Sequence, residues 1–277
     1  MKSKIRLIAF DLDGTLLTTE KKLTERTRQA LSLAAEQGIY IVPATGRPIS
    51  GVPKEIKELP GVRYIVTANG ARILDIKDEK IIHEETLSVE KAGKILDIFE
   101  KYDTLREIYY DGIGYADADK LAQIEKYQKD PAMQHYIGTT RRPVECTRAK
   151  FDAESRGLDK IQALFVSEED KFEAWQLIEE QVGNVEVTGA LSNNIEVNAE
   201  GIHKGRALQL LGQLMDVSLE EMMAFGDGTN DVKMLEMAGT GVAMANSVQK
   251  VLDIADVVAM SNDEDGVARI IEQYVLE

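Results

Sequence analysis

The sequence predicts an α/β protein: a Rossmann-like three-layer core around a parallel sheet, with an α+β domain inserted into it. Three observations carry this. Short apolar runs alternate with helical periodicity over residues 5–84. The rhythm then breaks into hairpin signals mixed with helices, and from residue 194 it returns and holds to the end. The implied division is 1–84 and 192–277 for the two parts of the core and 85–191 for the insertion.

In the first part, residues 5–10 (IRLIAF) read as a buried strand ending at Asp11. Residues 24–37 have helical spacing, with Ala30, Leu31, Leu33 and Ala34 apolar and Gly38 as a C-cap. Residues 40–44 form a second strand, 50–59 a helix and 64–68 (YIVTA) a third strand. Strands this apolar, separated by helices, belong to a parallel sheet covered on both faces.

In the insertion, Ser88 caps a helix over 89–102 that buries Ala92, Ile95, Leu96 and Phe99. REIYYDGIGYAD centres on Asp111-Gly112, a strong hairpin signal. Residues 120–129 look helical and polar, and 130–157 show no assignable pattern. A strand at 161–166, a helix at 169–182 carrying Trp175 and a strand at 185–188 complete it. The second part of the core then reads as strand 195–197, helix 204–215, strand 222–225 ending at Asp227, helix 231–238, strand 241–244, helix 248–255, strand 256–259 and helix 267–274.

Composition narrows the function. Among 277 residues, 44% are hydrophobic and 29% charged, as in ordinary soluble globular proteins. The formal charge of −15 excludes a nucleic-acid or anionic-membrane surface, since those need clustered Lys and Arg. Any anionic ligand must be held by local cations or a metal. The lone Cys146 rules out an internal disulfide framework and fits a reducing compartment. The N-terminal MKSKIRLIAFDLDG is too short in its apolar run for a signal peptide or membrane span, and no later stretch is long enough. The expectation is a cytoplasmic protein.

Four stretches can do chemistry. In open parallel sheets, ligands bind beyond the carboxyl ends of the strands, where Asp11 sits. Asp11 and Asp13, two residues apart, can aim into one pocket, with Gly14 permitting the turn beyond them. Close like charges call for a cation between them, and Mg2+ suits one or two carboxylates, waters and a phosphate. An acidic turn capping the next helix is the plain alternative. GDGTND (226–231) brings two more carboxylates after another apolar strand; as a calcium loop it lacks the EF-hand spacing and terminal Glu. Thr45-Gly46-Arg47 at a strand-to-helix turn could cradle an anion, though a tripeptide says little alone. Lys204 opens a helix against its dipole, which needs an anionic partner unless it is simply solvated.

Taken in order, DLDGT, the Thr of ATGR, Lys204 and GDGTND resemble the four motifs of the haloacid dehalogenase superfamily. The insertion after the third strand, with TANGA (67–71), GVAMANS (241–247) and SNDEDGVA (261–268), is similar to the Cof-type subfamily with a type IIB cap. The resemblance spans essentially the whole chain and implies a magnesium-dependent phosphatase acting on small phosphorylated metabolites, sugar phosphates first. By that resemblance Asp11 is the nucleophile and Asp13 the general acid and base. Mg2+ is held by the Asp11 carboxylate, the Asp13 carbonyl and Asp227, with Asp231 behind them. Leu12 N–H, Thr45, Gly46, Lys204 and Asn230 contact phosphate. Asn69 and Arg47 are candidate substrate contacts, and the cap selects the leaving group. No protein partner is implied, and a monomer is the default.

Other residues carry weaker signals. Tyr109, Tyr110 and Tyr115 could stack on substrate but suit a core equally, and Arg141-Arg142 is a basic pair that could meet a second anion or be surface charge. His83, His135 and His203 lack metal-ligand spacing, and the methionines from 215 to 244 read as core filler. Two alternatives stand beside the phosphatase: a phosphomutase of the same superfamily and a non-catalytic phosphate-binding regulator. A membrane ion pump is excluded by the lack of spans, and a receiver domain by a chain more than twice the size it needs.

Overall fold

The computed structural model describes residues 5–189 and 191–276; the basic start at residues 1–4 lies outside them. In chain order the strands are β1 (Leu7–Phe10), β2 (Tyr40–Pro43), β3 (Tyr64–Thr67), β4 (Arg72–Asp75) and β5 (Lys80–Glu84). Then come β6 (Thr104–Tyr110), β7 (Ile113–Asp117), β8 (Arg142–Val144), β9 (Lys160–Phe165), β10 (Val185–Thr188) and β11 (Asn194–Ala199). The last are β12 (Met222–Gly226), β13 (Thr240–Ala243) and β14 (Val257–Val258). Two compact units result: Met1–Gly46, Val52–His83 and His203–Glu277 form the first, and Arg47–Gly51 with Glu84–Ile202 the second.

The first unit is built on a parallel sheet of order β14-β13-β12-β1-β2. Its strands are apolar at successive positions because both faces are covered: Leu7, Ile8, Ala9 and Phe10 are all fully buried. Leu7 and Ala9 pack with Ala207, Leu208 and Leu211 of helix Lys204–Met215 and with Val232 and Leu235 of helix Val232–Met237. Helix Glu25–Glu36 is N-capped by the Thr24 side chain and ends before the left-handed Gly38. Among the described residues no helix is long and apolar enough to cross a membrane.

Three features differ from the sequence expectation in this unit. The helix expected at 50–59 is a short turn at Ile49–Gly51 and a single helical turn at Lys54–Lys57, because Pro53 offers no N–H and restrains Val52. The third strand, β3, lies beside β2 through isolated parallel bridges at the strand margins, Ile41↔Val62 and Ala44↔Val66, and pairs antiparallel with β4. The strands β4 and β5 had no counterpart in the pattern. They follow a turn at Ala68, Asn69 and Gly70, all with positive φ.

The second unit is a six-stranded sheet of order β10-β11-β9-β6-β7-β8, antiparallel except where β7 meets β8. The hairpin expected at Asp111-Gly112 is present, both residues having positive φ. One sheet face, with Ile108, Tyr110, Ile161, Ala163, Phe165, Ile195 and Val197, packs against Ala92, Leu96 and Phe99 of helix Val89–Phe99 and Ala174 and Ile178 of helix Glu168–Gln181. Trp175 packs at its margin. The unassigned 130–157 stretch holds helix Pro131–Thr140, β8 and helix Thr147–Glu154.

One boundary moves. Residues 194–199, read as the return of the core, form β11 between β9 and β10, so the second unit extends to Ile202 rather than ending at 191. The apolar alternation of NIEVNA suits either sheet equally, and pairing partners decided it.

Candidate active site

Parallel strands leave their last backbone groups and the following side chains at one edge of the sheet. β1, β2 and β12 are in register there, with Phe10 opposite both Pro43 and Phe225. Asp11 N–H donates to Phe225 O at 3.0 Å, and Ala44 N–H to Phe10 O at 2.8 Å. Asp11, Thr45 and Asp227 therefore follow three adjacent strand ends. The Thr45 N–H donates to Val66 O at 2.9 Å, which fixes this turn against β3.

Lys204 comes from the first turn of helix Lys204–Met215, where its charge opposes the helix dipole. Two carboxylates compensate. Its Nζ donates to Asp11 Oδ1 at 2.7 Å and to Asp231 Oδ1 at 2.6 Å, and the lysine is fully buried. Asp231 Oδ2 accepts the N–H groups of Asp227 and Gly228, each at 3.0 Å, so Asp231 ties the GDGTND loop to the lysine. Asp227 in turn accepts from the Thr15 hydroxyl at 2.7 Å. The sequence reading passed over Thr15 although it lies within DLDGT.

Asn69 and Asn230 meet: Asn230 Nδ2 donates to Asn69 Oδ1 at 3.1 Å. Asn69 holds φ 59°, ψ 19°, and at the next residue a Cβ would lie 2.7 Å from His203 O, so only glycine lets this turn approach the helix start. His203 itself caps that helix, its Nδ1 accepting from Arg206 N–H at 3.1 Å. Asp13 is half-buried and ion-paired with Lys21 at 2.9 Å, a partner with no sequence signal. Asn246, inside GVAMANS, donates to Gly14 O at 2.8 Å. The Leu12 side chain is buried. Arg47 belongs to the second unit, where its guanidinium donates to Gly51 O at 2.8 Å and lies 4.0 Å from the centre of the Tyr136 ring.

The electrostatics follow from burial. Carboxylate oxygens of Asp11, Asp227 and Asp231 lie within 4.8 Å of one another. Burial pushes the Asp11 carboxyl up to about 7; Lys204 opposes this, while Asp231 and Asp13 add to it. Burial, then the charges of Asp231 and Asp11, push Asp227 well above the usual carboxylate range. Burial alone would lower the Lys204 pKa, but Asp11 and Asp231 raise it above its ordinary value. Three carboxylates around one ammonium leave negative charge to be balanced, and an all-oxygen donor set is what a hard divalent cation takes. The residues fit such a cation.

Gly14 is held at φ +78°, and a Cβ there would sit 2.3 Å from Asp227 Oδ2. Gly14→Ala is expected to cost at least about 1–2 kcal/mol through left-handed strain, with the displacement of Asp227 added to it. Urea unfolding measures the loss; an unchanged midpoint would show that the turn relaxes freely.

A family model described as haloacid dehalogenase-like hydrolase matches residues 8–271. The chain is 30% identical, over 98% of its length and 96% of the other's, to the 5-amino-6-(5-phospho-D-ribitylamino)uracil phosphatase YcsE of Bacillus subtilis. The solved structure of a haloacid dehalogenase-like hydrolase from B. subtilis superposes with TM-score 0.86 at 30% identity, covering 98% of this chain and 100% of that one. In fold the chain is also similar to a subclass IIB sugar phosphatase, with TM-score 0.84 at 24% identity over 99% of this chain and 100% of that one.

Proposed function

The chain belongs to the haloacid dehalogenase-like hydrolase family and is a phosphatase, and from that premise we propose that it hydrolyses small phosphorylated metabolites in a Mg2+-dependent reaction through a phosphoryl group carried on Asp11. The observation that supports this best is the buried meeting of Asp11, Asp231 and Lys204 beside Asp227.

Asp11 attacks phosphorus in line as the bond to the leaving oxygen breaks, which divides one difficult displacement into two. Lys204 fixes the Asp11 carboxylate and offers positive charge to the phosphoryl oxygens, joined by the Thr45 hydroxyl, Gly46, Asn230 and the Leu12 N–H. Asp13 gives its proton to the leaving alkoxide and then takes one from the water that attacks the aspartyl phosphate, releasing inorganic phosphate and restoring Asp11. Its contact with Lys21 at 2.9 Å orients the carboxyl group. Asp11, Asp227 and the Asp13 carbonyl would hold Mg2+, which supplies the charge that lets a carboxylate approach a phosphate dianion. Asp231 acts by positioning Lys204 and the loop bearing Asp227. Asn69, through Asn230, and Arg47 remain candidate substrate contacts.

Sugar phosphates are the first substrate class, supported by the family resemblance. The ribityl phosphate named for the B. subtilis relative is a second phosphate ester of a polyhydroxy alcohol. A metabolite panel assayed for phosphate release with added Mg2+ tests the reading, and net release without a bisphosphate activator separates it from a phosphomutase. Asp13→Asn is expected to lower turnover about 10²–10⁴-fold while Mg2+ and phosphate still bind. Turnover within twofold of wild type would remove Asp13 from the acid–base role.

A further inference from the structure

The stretches GVAMANS (241–247) and SNDEDGVA (261–268) supply none of the candidate catalytic groups, yet both run along the loops that do. The chain leaving β13 grips the loop that bears Asp227. Met244 N–H and the Ser247 hydroxyl both donate to Gly226 O at 3.3 Å, and Val248 N–H donates to Asp227 O at 3.0 Å. From the middle of this segment Asn246 reaches the other loop, its Nδ2 donating to Gly14 O at 2.8 Å. One short segment therefore holds both the turn after Asp13 and the loop that carries Asp227.

The second stretch lies along the chain that leaves DLDGT. Asn262 Nδ2 donates to Leu17 O at 2.9 Å, and the Asp263 carboxylate accepts the Thr19 N–H at 2.8 Å and its hydroxyl at 2.7 Å. Asn262 is buried, and its own N–H donates to Asn246 Oδ1 at 3.1 Å. The two asparagines thus link Leu17 to Gly14. The turn between them closes on itself, since Leu17 N–H donates to Leu12 O at 2.8 Å and Leu17 bridges to Asp13. Asn246 must donate to a carbonyl at one end and accept from an N–H at the other, so its amide has a single allowed orientation.

Gly14 explains why such a brace is needed. Asp227 lies so close to it that only glycine fits, at positive φ, and glycine is the residue that restrains its neighbours least. Asp13 therefore sits on a turn that cannot stiffen itself. Asn246 is exposed, so its hydrogen bonds add little to stability; what they fix is the position of the Gly14 peptide. We propose that Asn246, held by Asn262, is a positioning residue that keeps Asp13 aligned for proton transfer to the leaving oxygen. The inference rests on the acid–base reading of Asp13 and adds the groups that aim it.

The test uses leaving groups. A sugar alkoxide must be protonated as it departs, whereas the phenolate of p-nitrophenyl phosphate departs with little help, so misalignment of Asp13 slows the sugar ester selectively. The readout is the ratio of kcat/KM for the fastest sugar phosphate of the metabolite panel to that for p-nitrophenyl phosphate. In Asn246→Ala this ratio is expected to fall about 10-fold or more, since a misplacement of about 1 Å costs about 10²-fold. A merely structural role would depress both esters alike; an unmoved ratio overturns the proposal. Asn262→Ala should lower the ratio in the same direction, and the double variant should lose no more than the larger single change, because the two residues act as one link. Fully additive losses would overturn that link. Asp13→Asn serves as the reference: if it too leaves the ratio unmoved, the acid–base reading falls, whereas if it lowers the ratio and Asn246→Ala does not, this inference alone falls.

Discussion

Asp11→Asn is expected to lower phosphate release by at least about 10⁴-fold, the scale seen when a catalytic nucleophile is deleted and only binding and electrostatics remain. The amide keeps the shape of the carboxylate, so β1 and its neighbours should be undisturbed. Acid quench of the wild type mixed with labelled substrate should trap phosphate on the protein, and the variant should trap none. A labelled Asn variant would place the covalent step on another residue. Stability should move the opposite way from activity. Burial pushes the Asp11 carboxyl up to about 7 from an ordinary 3.8, so the folded state prefers the neutral form. In chelator, the contribution of that neutral form is complete below about pH 4 and is lost as pH rises through about 7. An asparagine does not ionise, so the variant's unfolding midpoint should fall less than the wild type's across that window, the remainder coming from Asp227, whose carboxyl is also pushed up by burial. Parallel pH profiles would contradict the electrostatic account of the site.

Lys204→Met carries the second large effect, and it reaches both stability and rate. Asp11 and Asp231 lose the ammonium that lies 2.7 and 2.6 Å from them, and both are buried. Removing one partner of such a cluster typically costs about 3–5 kcal/mol, because the remaining charges are left uncompensated. The rate should fall about 10²–10³-fold through loss of charge opposite the phosphoryl oxygens. Added Mg2+ should raise the melting temperature more in the variant than in wild type, since a cation that binds only the folded state stabilises it by mass action. Equal shifts in both proteins would show that metal and lysine do not answer the same excess of negative charge.

Much of this was readable in one dimension. The candidate catalytic residues follow short apolar strands, and a parallel sheet brings strand ends to one edge whatever the intervening length. Thus Asp11 and Asp227, 216 positions apart, end adjacent strands in register. The unfavourable place of Lys204 at a helix start called for either anions or solvent, and the fold supplies two carboxylates. The Asp111-Gly112 turn was legible because positive φ at both positions selects those residues. By contrast, Pro53 broke a helix that the apolar spacing alone suggested, and Lys21 reached Asp13 with no pattern to announce it.

The polar face of the inserted sheet shows where sequence reading stops. Glu107, Lys160, Gln162 and Glu196 alternate with apolar residues at period two, which in one dimension is the mark of a strand with one face in water. The same pattern is produced by a strand whose polar face is buried against other polar groups. Arg141 was legible as a basic residue, but its burial against Glu107 was not, while its neighbour Arg142 is exposed. Sequence by itself determined which side chains stand at the strand ends, because local residue types and backbone periodicity specify it. Tertiary structure decided to which sheet residues 194–199 belong, and that one oxygen of Glu107 is left without a donor, because both depend on partners distant in the chain that periodicity does not encode.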